Sequence, residues 1–432
     1  MPHYSYKFHV PLVLACILML TGGCAEQPVI KQQVEKNERT AKVDPQASFA
    51  FAALPSSVPN DAADQKLVNR PDGSLVLSWW QNTAKDKPTL LISVLENEQW
   101  TPPAPVTSMA NLIEAQVVPV GNDALAALWM VSKPAKNGEG EVHDIFVARG
   151  DKTGKQWTTP LLLNQEAITS MKESPTLAAM PDGTLLSAWI DMRNYKMVPP
   201  SKPGAEATSE GFTSLMVASV SANNKLGKEM LVDKNFCECC APAMVTDEQG
   251  GLLAYREHLT GNVRDPAVMR ISANDFGKSA IVHNDHWVLD GCPSKAPAIA
   301  RLDSTVGIAW LTSVKDKTRI RAAFSKDKGQ HFAVPIELEL ENAGGVSGIE
   351  MDSPHSALVA WTVIGKQGEM TKLARVFDDG RIEHRTTVHS LSDGKAYKWP
   401  GPRMTKAKDT VIIGWNDEQA KKLGLVKVQV GL

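Results

Sequence analysis

Cysteine and tyrosine are scarce in this chain, and an excess of charge of either sign is missing. Its 432 residues include 6 cysteines and 5 tyrosines. The 46 basic residues face 48 acidic ones, so neither a basic nucleic-acid surface nor an acidic tail is indicated. Long stretches of helical periodicity are few. With 27 prolines and 30 glycines, that leaves an architecture of strands and turns. The apolar run over residues 10–20 is too short to span a bilayer. Beyond the N-terminal region, thiols are confined to Cys237-Glu238-Cys239-Cys240 and Gly291-Cys292-Pro293. The length alone suits two or three domains, but a repeat fold reaches this size as one unit.

Residues 1–23 read as an export signal. Lys7 provides a weak positive start, residues 10–20 an apolar segment of signal length, and Leu20-Thr21-Gly22-Gly23-Cys24 a run of small residues before a cysteine. This resembles the bacterial lipoprotein signal, with Thr21 where leucine is commoner. The resemblance implies that Cys24 is lipidated and anchors the mature chain to a membrane; the alternative is an ordinary secreted protein with Cys24 free. Ala25, in place of aspartate, implies the outer membrane, facing the periplasm or the cell surface. Residues 24–46 are polar and read as a flexible tether. Residues 47–432 read as a single domain.

Internal repetition defines that domain. A short apolar strand ending in an aromatic recurs seven times, at Trp79, Trp129, Trp189, Tyr255, Trp310, Trp361 and Trp415, spaced 50 to 66 residues apart. A tight turn precedes each strand, plainest in Pro71-Asp72-Gly73 and Pro181-Asp182-Gly183. Another short strand lies before the turn. A polar loop and a third strand follow the aromatic. Repeated antiparallel hairpins without helical crossovers predict an all-β fold, a β-propeller. Seven four-stranded antiparallel blades are expected, with six as the fallback if an end repeat is degenerate. The last repeat stops after three strands, and residues 47–54 would supply its fourth, joining the two ends of the chain. The aromatics are read as core wedges between blades.

Two turns carry a further pattern. Ser325-Lys326-Asp327-Lys328-Gly329-Gln330-His331-Phe332 has the form Ser-x-Asp-x-Gly-x-x-aromatic, and Gly150-Asp151-Lys152-Thr153-Gly154-Lys155-Gln156-Trp157 is one residue longer. The aspartate caps backbone amides, the glycine permits a left-handed turn, and the aromatic packs beneath. The pattern resembles the Asp boxes of sialidase-like (BNR-repeat) propellers. There the boxes are structural and lie opposite the active face.

The loops leading into first strands share the other face with the loops after the aromatics. Cys237 and Cys292 each lie five residues before a proline that opens a first strand, Pro242 and Pro297. The two thiol segments are therefore expected as matching loops of blades four and five, at the mouth of the central channel. Glu173 takes the place of Cys240 in blade three. Trp189-Ile190-Asp191-Met192-Arg193 opens the longest loop of its class, a candidate binding loop. Tyr255-Arg256-Glu257-His258 opens the next, which ends at Arg264-Asp265; His283, His286 and Trp287 precede Cys292. Asp191 with Arg193, and Arg264 with Asp265, read as loop-ordering ion pairs.

Three readings of the thiols stay open. Two disulfides are one: Cys292 joined to the 237–240 segment, and Cys237 closing a small loop with Cys239 or Cys240. A bond between adjacent Cys239 and Cys240 would be strained. A soft copper or zinc site is the second, with Cys237, Cys239, Cys240 and Cys292 completed by His258, His283 or His286. The third is one disulfide plus reactive thiols.

The longer pattern is Cys-x-Cys-Cys, then Tyr255-Arg256, then Arg264-Asp265, then His286-Trp287 and Gly291-Cys292-Pro293. It resembles a group of bacterial envelope lipoproteins of the sialidase-like, BNR-repeat kind, closely over residues 170–300 and loosely over the other repeats. The resemblance implies a fold and leaves activity open. An active sialidase needs three arginines around a carboxylate, a tyrosine nucleophile with a glutamate, and an aspartate acid/base. The family's early Arg-Ile-Pro motif is absent; Asn69-Arg70-Pro71 sits on the wrong face. Weak candidates for such a set are Asp191, Arg193, Arg256, Glu257, Arg264 and Tyr397. The favoured expectation is a monomer that binds a ligand, metal or partner (a glycan or an envelope protein) at the face of blades three to five. An exo-acting glycosidase, and a metal-handling or redox accessory protein, are the alternatives.

Overall fold

The computed structural model describes residues 49–430, apart from residues 57, 59–61, 85–86, 97, 136–139, 166–169, 199–207, 235, 292, 398–400 and 418–421. The signal region, the whole of the tether with Cys24, and Cys292 therefore lie outside the described residues. All regular structure in the described residues is strand, in seven antiparallel blades. Their first strands are Ala63–Asn69, Leu112–Val120, Lys172–Ala179, Ala243–Asp247, Ala298–Leu302, Ala343–Ser353 and Arg403–Ala407. Each touches the first strands of the blades on either side, and the seventh touches the first, so these strands form a closed ring around the central channel.

The second strands explain the apolar runs in the sequence. Leu185–Asp191 and Gly250–Arg256 are buried at every position, because neighbouring blades cover both faces of each sheet. The terminal aromatics are the wedges between blades. Trp129 packs with Val76, Leu90 and Ile92 of blade one, Trp189 with Val118 and Leu128 of blade two, and Trp310 with Leu252 and Val268 of blade four. Six of the seven aromatics are fully buried, and Trp415 is half-buried.

The ring closes as expected. Ala50–Ala53 pairs antiparallel with the third strand of blade seven, Ala50 opposite Gln429 and Ala53 opposite Val426. Phe49 is buried beside Ile413, Val428 and Val430. Both Asp-box turns form as well. Asp327 Oδ1 accepts from the amides of Gln330 at 3.1 Å and His331 at 2.9 Å. Gly329 has a φ of +87°, and a Cβ there would lie 2.3 Å from Leu252 Cδ2, so glycine is required. The amide of Lys328 bonds the carbonyl of Ser304, which places this box on the face of the first-to-second strand turns.

One departure concerns the long loop of blade three. It carries its own two-stranded antiparallel ladder, Tyr195–Val198 against Thr208–Gly211.

Candidate functional site

The cysteine loop folds over the end of the second strand of blade four. The amide of Cys237 bonds the carbonyl of Arg256 at 3.2 Å, and the amide of Cys240 turns back to the carbonyl of Cys237 at 3.3 Å. That turn brings the thiols of Cys237 and Cys240 to 3.2 Å, both fully buried. The Sγ atom of Cys239, partly exposed, lies within 4.8 Å of both. Cys237 and Cys240 are free thiols, whereas Cys239 is disulfide-bonded.

Two buried guanidinium groups lie close to these sulfurs. Arg256 is fully buried and donates to the carbonyls of Arg264 at 2.6 Å and Leu311 at 2.8 Å, with weaker bonds to Lys295 O at 3.2 and 3.3 Å. It also stacks 5.1 Å from the Trp287 ring. Arg264 is buried and donates to Glu238, on the cysteine loop, at 3.2 Å. Its Nε atom finds no acceptor among the described residues. The bond that Cys237 donates draws the Cys240 thiol down to about 7 against the effect of burial, and the charge of Arg256 assists. The same bond, with burial, holds the Cys237 proton in place and pushes its pKa up.

The histidine ligand candidates do not join the sulfurs. His258 is paired with Asn262 at 3.0 Å and Glu238 at 3.6 Å, and His283 with Asp285 at 2.7 Å. His286 gives its amide to Asp265 at 3.2 Å. Among the described residues, the one group close enough to hold a metal ion is Cys237, Cys239 and Cys240. Three sulfurs, one of them in a disulfide, fall short of a tetrahedral zinc set.

The sialidase candidates are likewise distributed rather than convergent. Arg193 forms a two-pronged pair with Asp191, at 2.9 and 2.5 Å, and reaches Glu229 at 2.9 Å, as an ordering pair should. Asp191 also accepts from the wedge Trp189 at 3.1 Å. The expected Arg264–Asp265 pair gives way to Arg264–Glu238, while Asp265 accepts amides of His286 and Trp287, both at 3.2 Å. A tyrosine–glutamate pair does exist, Tyr255 OH to Glu257 Oε1 at 3.3 Å, with Asp233 at 3.0 Å. Tyr255 is fully buried as a wedge, and burial raises its pKa strongly. Burial also raises Glu257 to about 7. Arg256 and Arg264 are occupied by carbonyls and Glu238, so no three-arginine clamp faces this pair among the described residues.

A cavity of about 210 Å³ opens further round, over blades five to seven. Lys295, Ser347, Thr362, Glu369 and Tyr397 contribute its polar lining, with Gly345, Gly401 and Pro402. Tyr397 is held by Thr371 at 2.9 Å and His389 at 2.7 Å, and its amide by Glu369 at 2.9 Å. Gly345 has a φ of +151°, which favours glycine, and a Cβ there would lie 2.9 Å from Lys295 Cδ. Of this lining the sequence singled out Tyr397 alone. The other residues come from three blades, and no spacing along the chain links them.

The fold places the chain among seven-bladed β-propellers. No family model matches it, and no curated protein matches it in sequence. Among solved structures it is similar to a protein of unknown function from Dyadobacter fermentans, with 14% identity, TM-score 0.47, and coverage of 72% of this chain and 93% of that one. It is also similar to the NanB sialidase of Streptococcus pneumoniae, with 11% identity, TM-score 0.41, and coverage of 88% of this chain and 70% of that one. The Trypanosoma rangeli sialidase is a third, with 14% identity, TM-score 0.43, and coverage of 90% of this chain and 60% of that one. At these identities the likeness carries no argument about activity.

Proposed function

We propose that this protein is a lipid-anchored, extracytoplasmic binding propeller that takes a small acidic sugar in the cavity over blades five to seven. The cavity carries the reading: its lining brings together an ammonium, a carboxylate and three hydroxyls, from Lys295, Glu369, Ser347, Thr362 and Tyr397. Its volume of about 210 Å³ suits one sugar ring rather than a larger molecule. Lys295 would pair with the carboxylate of the ligand, and the remaining groups would bond its hydroxyls. The cavity lies on the face that holds the cysteine loop, since Lys295, which lines it, accepts from Arg256, whose own carbonyl accepts from the Cys237 amide.

The test is calorimetric titration of the mature protein with N-acetylneuraminic acid and glucuronic acid. Binding of either, weakened about tenfold or more in Lys295→Ala as expected for a lost charge-assisted hydrogen bond, supports the reading. No heat with either sugar, or unchanged affinity in Lys295→Ala, overturns it.

A further inference from the structure

We propose that Arg256 and Cys240 are positioning residues for the cavity over blades five to seven: they clamp the backbone of residue 295, and so set where the Lys295 ammonium stands and how tightly an acidic ligand is held. For its effect on affinity this rests on the sugar-binding reading, which it deepens.

Residue 295 is held at both polar groups of its main chain. Its carbonyl accepts from Arg256 twice, from Nε at 3.3 Å and from Nη2 at 3.2 Å. Its amide donates to Cys240 Sγ. Arg256 and Cys240 are fully buried, whereas Lys295 is half-buried and lines the cavity. Residues 293–297 lie in no strand, so no sheet ladder fixes this stretch. Side chains of blade four and its entry loop do so instead. Farther out, the lysine stem passes over Gly345 of blade six, where a Cβ would stand 2.9 Å from Cδ. Lys295 is thus anchored from blade four at its backbone and guided by blade six along its stem.

Both clamping groups are themselves fixed. Cys240 Sγ accepts from the Cys237 thiol at 3.2 Å and from the Arg256 side chain, with the Lys295 amide as a third donor. Three donors around one buried sulfur suit a thiolate, which has lone pairs and no proton to give. Arg256 also donates to Arg264 O at 2.6 Å and Leu311 O at 2.8 Å, and lies 5.1 Å from the Trp287 ring. A planar guanidinium bonded at so many points has little room to turn, and the carbonyl of residue 295 shares that restraint. An ammonium placed in advance meets a carboxylate without the ordering cost that a loose lysine incurs.

The experiment compares the full mature chain with its Cys240→Ala variant by two readouts. The first is competitive acetylation with acetic anhydride, mapped by mass spectrometry, which reports the surroundings of the Lys295 amine without any ligand. Exposed Lys317 is the internal standard. A change of about twofold or more in the Lys295 rate is expected, since only the neutral amine reacts and its environment sets that fraction. The second readout is calorimetric titration with N-acetylneuraminic acid and glucuronic acid. Cys240→Ala should weaken binding about tenfold, as for a misplaced charge-assisted bond. Cys240→Ala/Lys295→Ala should bind no more weakly than Lys295→Ala, because the sulfur acts through that lysine. Near-ultraviolet circular dichroism checks the fold. Should Cys240→Ala unfold, Arg256→Lys, which keeps the charge and gives up the fork on the carbonyl of residue 295, takes its place with the same expectations. An unchanged acetylation rate at Lys295 overturns the proposal, and so do losses of affinity that add. Should neither sugar bind the wild type, the sugar reading falls and the acetylation rate decides the clamp by itself.

Discussion

Arg264 donates to Glu238 across 3.2 Å, and so ties the far end of a blade-four loop to the loop that carries the three cysteines. Arg264 is buried, while Glu238 is one-third exposed. Removing the carboxylate strands a buried cation beside the thiols. Glu238→Gln should destabilise the fold by about 1–2 kcal/mol, read from urea denaturation midpoints. A double-mutant cycle with Arg264→Gln should return a coupling energy. Additive effects would show that the pair contributes nothing.

Arg256 fastens blade four to blade five through Leu311 O and Lys295 O, and bonds Arg264 O within its own blade. Arg256→Met keeps the volume and leaves these carbonyls without a donor. A loss of about 3 kcal/mol or more is expected in equilibrium unfolding. A variant as stable as wild type would mean that water takes over those bonds.

Glu257 contributes a pH dependence whose sign is set by burial. Its pKa is raised to about 7 in the folded protein, against about 4.3 in an unfolded chain. The native state therefore holds a proton that the unfolded state gives up. The stabilisation is fully present below about pH 4.3 and is lost as pH rises through 7. Half-buried Glu114 and Glu350, both also raised to about 7, act in the same direction. Glu257→Gln should flatten this fall by roughly 2 kcal/mol between pH 4.5 and 7.5, measured as unfolding free energy against pH. An unchanged slope would remove Glu257 from the account.

Ring closure rests on four residues near the N-terminus, Ala50–Ala53, together with Phe49. A chain starting at residue 55 should lose about 3–5 kcal/mol, from lost strand pairing and the emptied Phe49 site. It should also unfold less cooperatively, with blade seven opening before the remainder. Hydrogen exchange of residues 403–429 provides the readout. Protection equal to wild type there would show that three strands suffice.

Much of the fold was legible because each second strand is buried on both faces and ends in a wedge. That double burial writes an apolar run and an aromatic into every repeat, and the seven positions from Trp79 to Trp415 can be read without a structure. The Asp boxes were legible for a local reason: Asp327 and Gly329 act within one turn. The site was less so. Free thiols beside one disulfide stood among the three readings of the cysteines, but the turn that brings Cys237 and Cys240 to 3.2 Å shows only in three dimensions. The partners of Arg256 are backbone carbonyls, which leave no mark in the side-chain sequence. Lys295, Thr362 and Glu369 meet in the cavity from separate blades, and nothing in their local context distinguishes them from surface residues.

The strand at Ala50–Ala53 is among the first parts of the domain to be made, and its partner at Val426–Gln429 is among the last. Between the two events the whole ring must be synthesised, so the clasp waits with an unpaired edge while every other blade acquires its strands. Assembly of this molecule has a built-in finishing step: until the final residues arrive, six blades can exist as a curved array, but the circle, and any site that depends on its rigidity, cannot.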